Sequence, residues 1–268
     1  MLSVFVLALA GAGALSGIMA GLLGVGGGIV LVPILDWVFG FLGVTHELSM
    51  KMAVATSLAT IIPTSLASSR AHRRRDAIDE NVIRAWRIPV VVGAVVGVLL
   101  VTRLNAVFMR AVFAFVATFV ALKMSLPLEG KHLRDSLPLN WFAAWIPFSI
   151  GCASTLMGIG GGSFSVPVMS LCGYPIQRAV GTASYVGLWI ALPATIGFLL
   201  ADNHDLTLAA VSIGYVNVLA VAMLAPVTWL TAPWGAEWAH RLSRRQLQLT
   251  FAGFLLLMAF RMTWRNLQ

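Results

Sequence analysis

Residues 24–33 read GVGGGIVLVP, and residues 158–167 read GIGGGSFSVP. Each copy contains a glycine, an aliphatic residue, three glycines, three variable residues and a Val-Pro pair. The copies lie about half a chain length apart, so we predict an internal duplication. Long apolar runs flank both copies, and three consecutive glycines are poorly compatible with a continuous helix. We therefore expect a break in the backbone at each copy.

The composition is that of a membrane protein. Of the 268 residues, 59% are hydrophobic and 10% are charged, whereas a soluble domain carries about 25% charged residues. A full membrane span needs about 20 apolar residues, and the second and seventh apolar runs are shorter than this. We predict an all-α polytopic protein in the lipid bilayer, with ten helical segments that make about eight full transmembrane helices plus two broken or re-entrant hairpins. The apolar runs cover 2–23, 29–43, 50–69, 87–102, 105–125, 139–157, 163–173, 178–200, 207–230 and 247–264.

The positive charge of the chain lies in a few short loops. The formal net charge is +8, and no motif that reads nucleic acid accompanies it, so we do not expect nucleic-acid binding. Basic loops remain on the cytoplasmic side of a membrane. We therefore predict that the loops after the third, fifth and ninth runs are cytoplasmic and that both termini lie outside.

Equivalent loops in the two halves carry opposite charge. The third run leads into Arg73-Arg74-Arg75, and the eighth run leads into Asp202-Asn203-His204-Asp205. Loops of opposite charge belong on opposite faces of the membrane, so the two halves are predicted to be inverted repeats, as in many transporters. We assign residues 1–125 to the N-terminal repeat, 126–138 to a cytoplasmic linker and 139–268 to the C-terminal repeat.

The glycine breaks have the chemistry of an anion site. Two inverted halves would bring the breaks together near the midplane, and the helix that follows each break would expose its first amide N–H groups there. Such helix starts bind anions without a lysine. The alternative is close helix packing through small residues. The candidate contacts are Gly26, Gly27, Gly28, Gly160, Gly161, Gly162, Ser163 and Ser165.

A second motif with hydroxyl groups is also duplicated. The first copy contains Thr56 and Ser57, and the second contains Thr182 and Ser184, followed by Tyr185. These hydroxyl groups either bind an oxyanion or only make hydrogen bonds between helices. We include all five residues in the candidate site.

Three charged residues lie in or near the predicted spans. Lys51 and Arg178 begin the helices that carry the hydroxyl motifs, where they either draw an anion to the site or extend to the membrane surface. Asp36 lies inside the short second run. It is a candidate either for pairing with Lys51 or for taking up a proton coupled to transport.

The duplicated glycine element and the two Thr/Ser segments resemble the TauE/SafE family of sulfite exporters, also called TSUP transporters, over nearly the whole chain. The resemblance implies a permease of the bacterial inner (plasma) membrane that moves sulfite, organosulfonates or related sulfur and carbon anions. It also implies anion contacts at the glycines of both breaks and at the hydroxyl motifs. Ala183 separates Thr182 from Ser184, which departs from the adjacent pair Thr56-Ser57.

These observations lead to a functional hypothesis: secondary transport of a small anionic substrate, most simply the export of sulfite or an organosulfonate by alternating access. An anion channel and a proton-coupled uptake carrier for carboxylate or sulfur anions are the alternatives. We expect no enzyme activity, because the five histidines are scattered and neither HExxH nor GxSxG occurs. We expect no cofactor and no metal ion.

Overall fold

The computed structural model describes residues 2–24, 26–125, 144–201, 211–241 and 243–266. The predicted linker at residues 126–138 and the first residues of the predicted C-terminal repeat lie outside the described residues. Each half begins with a helix that ends at a glycine break, followed by a short helix and three long ones.

Ten helices form the described part of the chain, which confirms the all-α fold class. They are α1 (Leu2–Leu23), α2 (Gly28–Phe41), α3 (His46–Arg73), α4 (Glu80–Arg103), α5 (Ala106–Ser125), α6 (Trp145–Met157), α7 (Gly162–Leu171), α8 (Ile176–Leu200), α9 (Val218–Arg241) and α10 (Arg244–Asn266). The helices α2 and α7 are the two short ones that follow the glycine breaks, with 14 and 10 residues.

One small element was not expected from the sequence. The ninth apolar run was predicted to begin at about residue 207, but α9 begins at Val218, because residues 212–217 form a two-stranded antiparallel hairpin. Its strands are β1 (Ser212–Ile213) and β2 (Val216–Asn217). Gly214 has φ +55° in the connecting turn, a conformation that glycine adopts without steric cost.

The outer surface of the helical bundle is apolar. Phe41, Phe115 and Leu200 expose 73%, 73% and 79% of their surface, which water would disfavour and lipid would not. Among the described residues, four helices are long and apolar enough to cross a membrane, namely α3, α4, α8 and α9. The protein is therefore a membrane protein, and the count of eight full spans stays a prediction.

The helices pack in pairs that have counterparts in the other half. The first helix of each half packs on the fourth helix of the other half: α1 packs on α9, and α6 packs on α4. The helices α3 and α8 pack on each other. Glycines allow the backbones of the paired helices to approach each other closely. A Cβ atom on Gly21 would collide with the Ala232 carbonyl oxygen of α9, and one on Gly93 would collide with the Phe148 carbonyl oxygen of α6. Such backbone-to-backbone packing is typical of membrane helices.

A buried ion pair ties α2, α3 and α5 together. The Arg110 guanidinium donates to both carboxylate oxygens of Asp36, at 3.1 and 3.0 Å, and the Ser49 hydroxyl donates to Asp36 at 2.7 Å. The alternative in which Asp36 pairs with Lys51 is wrong, because the Lys51 Nζ donates to the Thr102 carbonyl oxygen at the end of α4. The planar guanidinium of Arg110 reaches from α5 to α2 and matches the carboxylate of Asp36 with two parallel bonds.

We predict that Arg110→Met lowers the stability of the protein strongly. The change leaves the Asp36 carboxylate buried without its cation, and breaking a buried pair from one side costs roughly 3–5 kcal/mol. Thermal unfolding in detergent would measure the loss. The double variant Asp36→Leu, Arg110→Met should recover most of it, because it removes both charges.

Arg241→Met is the matched control for this prediction. It removes the Arg241–Glu237 pair, in which both side chains are largely exposed, and such surface pairs contribute about 0–1 kcal/mol. Equal losses in Arg110→Met and Arg241→Met would contradict the role assigned to the buried pair.

Candidate functional site

Each glycine element is a sharp turn between two helices. The chain leaves α1 at Leu23 and enters α2 at Gly28, and it leaves α6 at Met157 and enters α7 at Gly162. The turns need the left-handed conformation, which side chains with a Cβ adopt at a cost. Positive φ angles of 67° to 81° occur at Gly24, Gly26, Gly27, Gly158 and Gly161.

The two turns touch each other inside the protein. A Cβ atom on Gly28 would collide with the Gly158 carbonyl oxygen, and one on Gly26 would lie 3.2 Å from the Gly160 Cα. The Ser57 hydroxyl donates to the same Gly158 carbonyl oxygen at 2.9 Å. The structure thus brings residues from both duplicated motifs to one buried point, which requires glycine because the two backbones meet without space for side chains.

Both short helices begin directly after the glycine turns. In α2 the amides of Val30 and Leu31 donate to the Gly27 carbonyl oxygen, and in α7 those of Phe164 and Ser165 donate to that of Gly161. The helical hydrogen bonds begin there, so the preceding amides have no acceptor within the helix. Each helix start also carries about half a positive charge from its macrodipole.

The side chains around the two helix starts differ in polarity. Ile29 and Leu31 are buried at the start of α2, whereas Ser163 and Ser165 are buried at the equivalent places of α7. The hydroxyl groups of both serines have no hydrogen-bond partner among the described residues. A buried hydroxyl group without a partner carries a cost of about 1–3 kcal/mol, and an oxyanion would supply the missing acceptor.

Four polar groups that the sequence did not indicate lie in the same region or on the helices beside it. The Ser154 hydroxyl lies 3.6 Å from the position of a Cβ on Gly161, and a Cβ on Gly187 would lie 2.5 Å from the Gly160 carbonyl oxygen and 3.0 Å from the Ser65 hydroxyl. None of the four has a hydrogen-bond partner among the described residues. They are Ser65, Ser154, Thr155 and Trp189. The Ser154-Thr155 pair could have been identified from the sequence, because it lies just before the glycines of the second turn. Ser65 and Trp189 lie on α3 and α8, and only the packing of these helices brings them near.

The two threonines of the hydroxyl motifs make equivalent contacts across the halves. The Asp79 amide, before α4, donates to the Thr182 hydroxyl at 2.9 Å, and the Asn217 amide, before α9, donates to the Thr56 hydroxyl at 3.0 Å. Asp79 and Asn217 also cap the helices that follow them, through their side-chain oxygens. The threonines therefore hold a loop of the opposite half, and they do not lie free at the glycine contact.

The remaining candidate residues lie apart from the glycine contact. The Ser184 hydroxyl donates to the Gly181 carbonyl oxygen within α8. The Arg73 guanidinium lies 5.3 Å from the centre of the Tyr185 ring. Half-exposed Arg178 pairs with Asp79 at 3.3 Å. Arg178 and Tyr185 therefore contact residues at the end of α3 and in the loop between α3 and α4, whereas Ser184 is buried within α8.

Comparison with known proteins gives consistent matches over nearly the whole chain. The family model described as "Sulfite exporter TauE/SafE" matches residues 9–262. A probable membrane transporter protein of Haemophilus influenzae is 30% identical, covering 93% of this chain and 95% of that protein. Similarly named proteins of Methanocaldococcus jannaschii and Bacillus subtilis are 25% and 23% identical, covering 91% and 95% of this chain and 90% and 96% of theirs. No solved structure matches.

The family match and the relatives agree with the duplicated glycine element and the helical bundle. They confirm the resemblance that the two motifs indicated. The chain belongs to the TauE/SafE family and is a membrane transporter.

Proposed function

We propose that this protein exports small sulfur oxyanions, sulfite or an organosulfonate, across the bacterial inner membrane. The observation that carries the proposal is the start of α7, directly after the second glycine turn, where two buried serine hydroxyl groups have no partner among the described residues. An oxyanion accepts several hydrogen bonds at once and carries the negative charge that a helix start favours.

The proposed site is centred on the second turn. The glycines Gly160, Gly161 and Gly162 with Ser163 and Ser165 supply the donors, and Gly26, Gly27 and Gly28 close the site from the other half. A carrier needs such a closed contact between its halves at some stage of its cycle. The contact between Gly28 and Gly158 therefore favours a carrier over an open channel.

Alternating access would use the two equivalent loop contacts as gates. The Asp79 amide on Thr182 and the Asn217 amide on Thr56 each join one half to the other. If the halves are inverted in the membrane, these contacts lie on opposite faces, and opening one at a time would expose the site to one side. The Asp79 contact carries an additional ion pair, with Arg178.

Export needs no coupled ion. Moving a monoanion out of a negatively charged cell interior gains about 2.3 kcal/mol per 100 mV. Asp36, a candidate for proton coupling, is buried and bonded to Arg110 and Ser49. Coupling through Asp36 therefore stays a prediction that uniport does not require.

The direct test of the proposal is transport by the purified protein in liposomes. We expect saturable sulfite efflux that an inside-negative potential accelerates, together with a rise in the unfolding temperature when sulfite is added, because a ligand that binds the folded state stabilises it. Sulfite that neither moves nor stabilises the protein would overturn the substrate assignment.

Ser163→Ala and Ser165→Ala should separate binding from folding. Each variant removes a buried hydroxyl group without a partner, so the unfolding temperature should stay the same or rise. Each also removes one hydrogen bond to a charged ligand, worth about 1.5–3 kcal/mol, so sulfite affinity should fall roughly 10- to 100-fold. Sulfite titrations by thermal shift would measure both quantities.

Ser69→Ala is the control for the serine variants. Its hydroxyl group is buried but donates to the Leu66 carbonyl oxygen, so the variant should lose some stability and keep its sulfite affinity. Unchanged affinity in both Ser163→Ala and Ser165→Ala would place the anion elsewhere.

Asp79→Asn tests the charged gate. Asparagine keeps the helix cap and the amide bond to Thr182 but removes the ion pair with Arg178, so we expect this gate to open more readily and sulfite efflux from liposomes to become several-fold faster. The same change should alter the pKa of Tyr174, which is raised by burial and by the nearby Asp79 carboxylate. A negative neighbour favours the neutral phenol, so its removal should lower the pKa of Tyr174.

An absorbance titration of the phenolate would follow Tyr174, which is one of three tyrosines. Glu80→Gln is the matched control, because it neutralises the adjacent acid, whose partner is the exposed Arg73. Identical effects of Asp79→Asn and Glu80→Gln would show only a general change of surface charge and would contradict a specific gate.

A further inference from the structure

A large apolar cavity lies next to the start of α7. It has a volume of about 520 Å³ and lies between α5, α6 and α7. Its wall includes Phe115, Phe119, Ile150, Ala153 and Pro167. Phe115 and Phe119 expose 73% and 59% of their surface, so the cavity is bounded by side chains that face the bilayer.

One end of the cavity is polar and belongs to the proposed anion site. Ser163 lines the cavity, is only 2% exposed, and has a hydroxyl group without a partner among the described residues. It is the second residue of α7, where the helix start favours negative charge. The cavity therefore combines an apolar wall with a donor group at a positive helix start.

A second apolar cavity does not combine an apolar wall with an available donor group. A volume of about 440 Å³ lies between α4 and α8 and is lined by Val95, Leu99, Thr102 and Ala201 among others. The Thr102 hydroxyl donates to the Leu99 carbonyl oxygen, so its donor is already used. This cavity has no helix start in its wall and gives a reference for purely lipid-facing space.

We propose that the cavity beside Ser163 holds the apolar tail of an amphiphilic anion, an alkane- or arenesulfonate, whose charged head binds at the start of α7. The inference rests on the proposed function, since it uses the same anion site, and it adds a binding place for the hydrocarbon tail of a sulfonate between α5, α6 and α7. The charge of the helix start selects the head, and the apolar wall selects the tail.

A chain-length series tests the tail site. Methane-, ethane-, butane- and hexanesulfonate would compete with radiolabelled sulfite for transport by the protein in liposomes. Each methylene group that enters an apolar site gains roughly three- to fourfold in affinity. We expect inhibition constants to fall by about this factor per carbon atom until the cavity is full.

Filling the cavity should remove the effect of chain length. Ala153→Phe places a ring in the cavity at a half-buried position, so hexanesulfonate should bind no better than methanesulfonate while sulfite transport continues. The control is Ala201→Phe, the same change in the second cavity, which should keep the full chain-length effect. Ala153→Leu, a smaller change, should shorten the series if the phenylalanine variant does not fold.

The outcomes separate the tail site from the proposed function. Sulfite transport without any chain-length effect in the native protein would overturn the tail site alone. Equal chain-length effects in Ala153→Phe and Ala201→Phe would mean that the tails only partition into the bilayer, or that a lipid chain occupies the cavity, and would also overturn it. Binding of the longer sulfonates without competition by sulfite would support the tail site and overturn sulfite as the substrate. If neither sulfite nor the sulfonates bind, both the tail site and the proposed function are overturned.

Discussion

The structure depends on the need to satisfy backbone polar groups that are buried away from water. A helix that stops inside a membrane protein leaves amides and carbonyl groups open, and these must find partners within the protein. Here two helices stop at glycine turns, and each turn lies against the other, with the Ser57 hydroxyl bonded to the Gly158 carbonyl oxygen. Because two backbones meet there without side chains, the contact joins the two halves, and the proposed function adds an anion site beside it.

The duplication produces a frame that is nearly symmetric and a site that is not. The pairs α1–α9 and α4–α6 are equivalent, and Thr56 and Thr182 receive equivalent amides. Yet Ile29 and Leu31 stand where the second half has Ser163 and Ser165. In the proposed carrier, the equivalent contacts would let two conformations exchange the roles of the halves, and the uneven polarity would favour ligand binding in the second half.

Equivalent positions of the two halves also differ in charge. The buried Arg110–Asp36 pair holds α2 and α3 to α5, and the position equivalent to Asp36 in the second half is Ser170. Isolated charges are expensive in a membrane, so a complete pair with an added hydroxyl donor is the form in which they are retained. We interpret this pair as a fixed anchor in the first half, against which the second half could move.

Much of the fold was readable from the sequence. The glycine elements and the apolar runs follow from local composition and spacing, and they predicted ten helices, of which two short ones follow the breaks. Together with the resemblance to the TauE/SafE family, they indicated a transporter. Tertiary structure alone decided the partners. Asp36 meets Arg110 and not Lys51, the hydroxyl groups of Thr56 and Thr182 bind loops, and Ser65 and Ser154 join the second turn. The physical reason is that periodicity determines which face of a helix is apolar, whereas the choice between two polar neighbours depends on distances across helices far apart in the chain.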